Sequence, residues 1–516
     1  MKLNYKRIIL VGFAFFLIQA FWQAYDNTIP MILTNKFGMS QAWSGAIMAL
    51  DNVLALFMLP LFGAISDKHH SKWGRRTPFI VVGTLIAAVM LIALSFVDNA
   101  QLHHISDVAA IDDPAALETI YDREADETLL TPGGQKFVLS RQFTKEEFTQ
   151  IRSQITVDGA AVTNPDYTNY VMPARQACAW DATAKSPVTL VFFIALLLVI
   201  LVSMSVFRSP AVALMPDVTL KPLRSKANAV INLMGSAGGI LVLVLGMVFA
   251  TSAVRNSLMS YTGYFAVIAA IMLAALVVFM LTVRENEWAA EMQQQSVELG
   301  LEDKEEAATG ERKLSVDEVK SLIFLLLSIV LWFFGYNAVT SKYSVYASNI
   351  LHKDYNLTLI IAQAAAIISY LPVGFIASKV GRKKTILAGV VMLTAAFTTA
   401  SFMSAESPTM LMNAMFALAG IAWATINVNS FPMVVEMCSG GNVGKYTGFY
   451  YTASMAAQVA TPMLSGLLMD RMGMHVLFPY AALFTALAFV TMLFVRHGDS
   501  KPEVKRGLEA LDEMED

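Results

Sequence analysis

Apolar stretches of about 20 residues recur along the whole of this 516-residue chain, the length a helix needs to cross the hydrocarbon core of a bilayer. A helix is suited to that place because it satisfies its own backbone hydrogen bonds where no water can. Composition agrees. The chain is 56% apolar and 15% charged, with a mean hydropathy of +0.55, against roughly 45–50% and 25% in soluble domains. Its 29 Met and 31 Phe suit lipid-facing and packing surfaces. The sequence therefore predicts an all-α membrane protein.

Twelve spans are expected, at 8–33, 43–65, 78–97, 187–207, 227–250 and 262–283, then 319–347, 357–378, 384–403, 408–431, 446–468 and 475–496. Lys and Arg in short loops set orientation. One side collects Lys6, Arg7, Lys68, Lys72, Arg75, Arg76, Lys221, Arg224, Lys226, Lys379, Arg382, Lys383 and Lys384, and the other mainly Lys36, Arg255, Lys353 and Arg471. Both termini are thus expected in the cytoplasm. The first apolar run is long, polar-striped and without a small-residue cleavage site, which predicts a retained helix rather than a signal peptide.

The division follows: 1–283 as one six-helix bundle, 284–318 as a charged cytoplasmic linker, 319–496 as a second bundle and 497–516 as a cytoplasmic tail. A polar insertion, 98–186, interrupts the first bundle on the opposite face. It holds 14 acidic and 7 basic residues and reads as a solvated cap or, alternatively, a lid or partner-binding module. Within it, residues 144–155 are patterned for a short amphipathic helix. The two cysteines, Cys178 and Cys438, are assigned to opposite sides of the membrane, which argues against a disulfide. A glycosylation pattern, Asn356-Leu-Thr358, is explained by chance.

Between the second and third runs lies Gly63-Ala-Ile-Ser-Asp-Lys-His-His-Ser-Lys-Trp-Gly-Arg-Arg-Thr-Pro-Phe79. Charges at the bilayer centre cost roughly 2.5–3.5 kcal/mol each on insertion scales, so this hairpin belongs at a membrane face. A degenerate copy, Gly374-Phe-Ile-Ala-Ser-Lys-Val-Gly-Arg-Lys-Lys-Thr385, occupies the same place in the second half, with Ser378 where the acid stood. One loop signature per half implies a duplication. Gly63, Asp67, Gly74, Arg75 and Arg76, with Gly381 and Arg382 in the weaker copy, are expected to form a conformational latch. Their plainer reading is basic residues retained for orientation.

Twelve spans in two halves with paired Gly…Asp…Gly-Arg-Arg loops resemble the major facilitator superfamily. The usual superfamily loop has two residues between Asp and Gly-Arg, whereas six separate Asp67 from Gly74 here. That longer form resembles the sucrose transporters and the glycoside–pentoside–hexuronide:cation symporters, as do Pro216-Asp217 and the Arg224-Ser-Lys-Ala-Asn-Ala229 run. The resemblance implies two pseudo-symmetric six-helix bundles, with spans one, four, seven and ten lining a cavity. Two departures matter. The paired carboxylates of the melibiose-type symporters fall on Leu59 and Ala55, so their sodium site does not carry over. The Arg that plant sucrose transporters place ahead of the Asp matched to Asp217 is Val212 here, which puts sucrose itself in doubt.

Span one carries the clearest candidate site. Gln19, Gln23, Asp26 and Pro30 stand at i, i+4, i+7 and i+11 on one helix face, flanked by Trp22 and Asn27. Pro30 cannot donate to the Asp26 carbonyl, which loosens the helix beside the carboxylate, as transporters do at mid-membrane sites. The plainer reading is interhelical hydrogen bonding. Asp51 on span two is expected at similar depth, where two close carboxylates hold one proton or cation more readily than two bare charges. Asp26 and Asp51 are the candidate coupling acids, with structural pairing to backbone or a Tyr as the alternative.

The second half offers Tyr336, Asn337 and Tyr343 on span seven, Trp423 and Asn427 on span ten, and Tyr450 and Gln458 on span eleven, a mixture of amides and flat rings suited to sugars. Span four is nearly all apolar until Arg208. Gly235, Gly238, Gly239 and Gly246 on span five permit close packing. There is no phosphate-binding loop, nucleophile elbow or metal spacing, so no enzyme, cofactor, metal or nucleic-acid partner is expected. The expectation is a monomeric importer of a sugar or glycoside with a cation, a proton being the expected one, in a bacterial inner membrane. An exporter or facilitator of another small solute is the first alternative, and a sensor or interaction protein using the insertion the second.

Overall fold

Nine helices among the described residues are long and apolar enough to cross a membrane. In this computed structural model the described residues are 4–157, 160–220, 224–298, 314–435, 437 and 443–498. Spans one to six are Tyr5–Asn35, Gln41–Met48 running on through Leu50–Lys68, Thr77–His104, Val188–Asp217, Arg224–Val248 and Thr262–Thr282. Span seven is Val316–Tyr346 and span ten Thr409–Val435, and span twelve is Leu477–Leu493. Helices Tyr355–Val380, Arg382–Ala400 and Val443–Met472 occupy the expected places of spans eight, nine and eleven.

Local chemistry sets the boundaries. Ser315 and Glu318 form a capping box that starts span seven. In the duplicated loops, Gly74 (φ +115°) precedes span three and Gly381 (φ +99°) separates spans eight and nine. Both glycines of the signature therefore stand where the backbone enters a region that side-chain-bearing residues avoid.

Two apolar cores result, one per half. The first gathers Phe21, Leu201 and Phe265; the second gathers Trp332, Tyr346 and Phe478. Span one packs along span five, span three along four, span eight along ten, and span seven along twelve. Gly238 makes the first of these possible, since a Cβ there would sit 2.4 Å from the Phe16 carbonyl oxygen. Large apolar side chains such as Phe192, Val248, Leu281 and Ile368 point outward, as a lipid-facing surface requires.

The insertion is a folded unit with its own core of Leu117, Ile120, Phe148 and Val171, to which Val254 and Leu258 of the loop after span five contribute. The patterned stretch 144–155 is only partly helical. Lys145–Thr149 is a helix held by a Thr144–Glu147 capping box, and Gln154–Val157 pairs as a strand with Ala160–Thr163. The β-branched Ile155-Thr156-Val157 explains the switch. The expected charged linker likewise begins as a helix, Glu285–Glu298, because Trp288 is buried against the first half. Cys178 is buried in the insertion core; Cys438 lies outside the described residues. Asn356 is 1% exposed and bonds Thr251 and Asp354.

The halves meet on the face that carries the insertion. Asp470, on span eleven, accepts hydrogen bonds from Gln41 N (2.7 Å) and Ala42 N (2.8 Å) at the start of span two. Lys342, fully buried on span seven, donates to Gln41 O at 2.6 Å. Spans two and eleven touch through glycines: a Cβ on Gly45 would fall 2.1 Å from Pro462 O, and one on Gly466 2.2 Å from Gln41 O. The insertion reinforces the seal. Its hairpin, Leu129–Leu130 with Lys136–Phe137, presents Pro132 O to Met474 N at 2.6 Å. A Cβ on Gly134 would lie 2.7 Å from Met472 O.

Two outcomes are expected. Burial pushes the Cys178 thiol up, and the Glu124 carboxylate it donates to at 3.3 Å reinforces the shift. A thiol reagent should therefore leave Cys178 unmodified in the folded protein and modify it on unfolding, read by mass spectrometry; rapid native labelling would contradict the packing. Replacing Asp470 with Ala leaves two backbone donors and the Lys342 ammonium uncompensated, so the halves should part on this face. In a background with both native cysteines changed to Ser, Met48→Cys (Met48 is 4% exposed) should react with an impermeant maleimide at least tenfold faster once Asp470→Ala is added. Unchanged reactivity would show that this contact is not the seal.

Candidate functional site

Just inside the glycine contacts between spans two and eleven lies a cavity of about 100 Å³. The first half contributes Asp26, Met48, Asp51 and Asn52, and the second half Asn337, Thr340, Ser341, Gln458 and Pro462. Asp26, from Tyr5–Asn35, and Asp51, from Leu50–Lys68, thus share one cavity. Asp51 Oδ1 accepts from the Asn52 amide at 2.7 Å, which orients that carboxylate. Asn337 Nδ2 is a buried donor without a partner, an arrangement that costs about 1–3 kcal/mol unless something occupies it.

Arg208, where the apolar run of span four ends, completes the charge balance. Its guanidinium lies over the Trp22 ring at 5.7 Å and within electrostatic reach of Asp26, Asp51 and Tyr451. With both acids ionised these three groups sum to one negative charge, so a single proton makes the cluster neutral. In a low-dielectric site neutrality is the state that costs least. Hydropathy marks Arg208 as the end of an apolar run, but a lone charge there carries no periodic signal that ties it to Asp26 and Asp51.

The rest of the expected stripe divides. Gln23 Oε1 accepts from the Gln363 amide of span eight, a bond between the halves. Gln19 packs its stem against Gly235 on span five. Asn27 is buried with Nδ2 unpartnered, and Trp22 sits edge-on to Phe21 and Tyr25.

In the second half Tyr336 and Trp423 stack face to face, with centroids 3.6 Å apart and planes within 2°, and Asn337 follows directly on the helix. Asn427 on span ten is half-buried. Tyr343 and Tyr450 are committed elsewhere: Tyr343 bonds Thr358 at 2.6 Å and Tyr450 bonds Ser430 at 3.2 Å.

On the opposite face, the one that carries the ends of spans one and twelve, the signature loop builds an ionic cluster within the first half. Asp67 pairs with Arg76 at 2.5 Å, and Asp217, closing span four, holds Arg75 at 2.7 Å and Arg76 at 2.8 Å. Glu285 accepts from the backbone N–H groups of Arg75, Arg76 and Thr77, each at 2.8 Å, and from the Thr77 hydroxyl at 2.7 Å. Gly63, on the helix that ends at Asp67, has room for a Cβ only 2.9 Å from Ser209 Oγ. The cluster ties the cytoplasm-assigned ends of spans two, three, four and six into one body. Glu285 is the member that sequence reading missed, because it opens a segment read as a linker. Among the described residues no group of three or more His, Cys, Asp or Glu side chains could hold a metal.

Comparison with known proteins agrees with this architecture. A family model described as Major Facilitator Superfamily matches residues 176–363 and 349–512, and one described as MFS/sugar transport protein matches 10–103. Two sucrose transport proteins of Arabidopsis thaliana, SUC3 and SUC4, are 39% and 36% identical over 67 and 59 residues. Those alignments span 13% and 11% of this chain and 11% and 12% of the relatives' own lengths. Among solved structures, the xylose transporter XylE from E. coli, in an inward open conformation, superposes with a TM-score of 0.59 at 15% identity, covering 98% of this chain and all of that one. A bacterial homologue of the iron transporter ferroportin, inward-facing, gives 0.58 at 13% identity over 95% and 99% of the two chains. At such identities the likeness is one of fold. The superfamily match covers well over half of the sequence, and the chain belongs to the major facilitator superfamily.

Proposed function

We propose that this transporter imports a sugar or glycoside together with a proton, by alternating access of the cavity between its two halves. The observation that carries the reading is that cavity: two acids and a nearby arginine from one half face amides and hydroxyls from the other. Asn52, Asn337, Thr340, Ser341 and Gln458 offer hydroxyl-matching donors and acceptors, and the Tyr336–Trp423 stack offers a flat apolar face. The sugar-transport family match over 10–103, which includes both acids, and the short sucrose-transporter likeness point the same way.

In this reading the proton sits on the Asp26–Asp51 pair. Its arrival neutralises the cluster with Arg208, so the loaded cavity moves through the occluded state without a bare charge. Substrate bridging the two walls supplies the remaining complementarity, and the halves rock about the site. The face with both termini is cytoplasmic, the insertion lies outside, and the working unit is a monomer in a bacterial inner membrane. The Asp67–Arg76–Asp217 cluster keeps the first half one body at its cytoplasmic end while it rocks. The observed closure on the insertion face then corresponds to the inward-facing side of the cycle.

The test is uptake of labelled mono- and disaccharides into proteoliposomes, with and without an imposed inward proton gradient. One sugar at least should accumulate above equilibrium and leak back when a protonophore is added. Asn337→Leu and Gln458→Leu should each lower its uptake at least tenfold at unchanged reconstitution level. Flux that only equilibrates, whatever the gradient, would make the protein a facilitator; absence of any sugar flux would remove the sugar assignment.

A further inference from the structure

Outside the gate lies a second, larger cleft of about 480 Å³, within the range of about 300–1,000 Å³ typical of small-molecule sites. We propose that it is a second carbohydrate-binding site, built by the insertion and complete only while the halves are closed on this face. The ligand class rests on the sugar reading above; the site itself rests on its own geometry.

Two indoles border the cleft, Trp43 at the start of span two and Trp180 on the insertion helix Met172–Lys185, and they are 64% and 41% exposed. Both belong to the first half and are fixed relative to each other. The loop between spans one and two turns at Gly38 (φ +67°), where a Cβ would lie 2.2 Å from Gln176 O and 2.3 Å from Trp180 N. That contact lets only glycine pass and locks the insertion helix against the loop that leads to Trp43. Broad, exposed aromatic faces offer stacking area at little entropic cost.

Amides supply the hydrogen bonding. Gln176 lines the cleft and donates its Nε2 to Asn35 Oδ1 at 2.9 Å, which leaves its carbonyl oxygen as an acceptor. Asn349, on the opposite wall, directs its amide nitrogen at the weak acceptor Met474 Sδ, 3.9 Å away. The Asp470 carboxylate at the base of the cleft is already committed to the two backbone donors of the gate. Aromatic faces with neutral amides, and no cation among the lining residues, suit a polyhydroxylated ring and not an anionic ligand.

The walls come from both halves: Trp43, Trp180 and Gln176 from the first, Asn349, Asp470 and Met474 from the second. The insertion hairpin adds Pro132 and Gly134, docked on Met472–Met474. Parting of the halves separates these walls. A ligand that needs both binds the closed arrangement better and shifts the population toward it. Sugar at this site therefore restrains reopening toward the outside, so external substrate in excess slows its own uptake.

The test uses full-length protein in nanodiscs, titrated with sucrose, maltose and D-xylose by calorimetry, and uptake measured over a wide range of external sugar. The proposal expects a sugar that still binds Asn337→Leu, whose central cavity is impaired, and binds at least tenfold more weakly when Trp180→Ala is added. Trp180→Phe, which keeps a flat face, should restore most of the binding. Uptake by the otherwise native protein should fall at high sugar, and Trp180→Ala should abolish that fall. Sugar binding lost in Asn337→Leu and indifferent to Trp180→Ala would overturn the outer site while leaving the proposed transport intact. Absence of both binding and uptake for every sugar would overturn the ligand class and the transport reading together.

Discussion

Every charge placed among these apolar helices has to find its compensation inside the protein, and that constraint organises the molecule. Lys36 and Asp98, both fully buried, pair at 2.5 Å, and the Lys36 ammonium also donates to Met259 O and lies 4.7 Å from the Tyr261 ring centre. This ties the ends of spans one, three and six, and removing one partner of such a pair costs about 3–5 kcal/mol. Lys342 and Asp470 are compensated across the interface between the halves, through the start of span two. Asp26, Asp51 and Arg208 are the set whose balance changes with a single proton. Of the three sets, the first is a rivet, the second a gate, and the third the candidate engine.

Glycine decides where the halves can approach. Gly45 and Gly466 bring spans two and eleven into backbone contact above the cavity, and Gly38, Gly134 and Gly473 do the same for the insertion. The insertion's core is continuous with the first half through Val254 and Leu258, while it meets the second half at its hairpin tip and through the Thr168–His352 contact.

Much of the architecture was legible in the sequence because bilayer crossing imposes length and hydropathy, and the duplicated loop imposes glycine and arginine at a face. The site was legible only in part. The stripe on span one holds both Asp26, which lines the cavity, and Gln23, which bonds Gln363 across the halves. Helical spacing fixes a face and not its partner. Tyr343 and Tyr450 had the right spacing and type, but their hydroxyls are held by Thr358 and Ser430, a fact of tertiary packing. Arg208 and Glu285 gave no periodic signal at all. The cleft outside the gate joins residues from positions 38 to 474, a juxtaposition that only the fold creates.

The most direct test separates movement of substrate from movement of the proton. Asp26→Asn and Asp51→Asn should be compared with the unaltered protein in sugar counterflow, which needs no net proton movement, and in uptake driven by an imposed proton gradient. If the two acids share the coupling proton, at least one variant will keep counterflow and lose accumulation above equilibrium. Accumulation that survives in both variants would contradict the account.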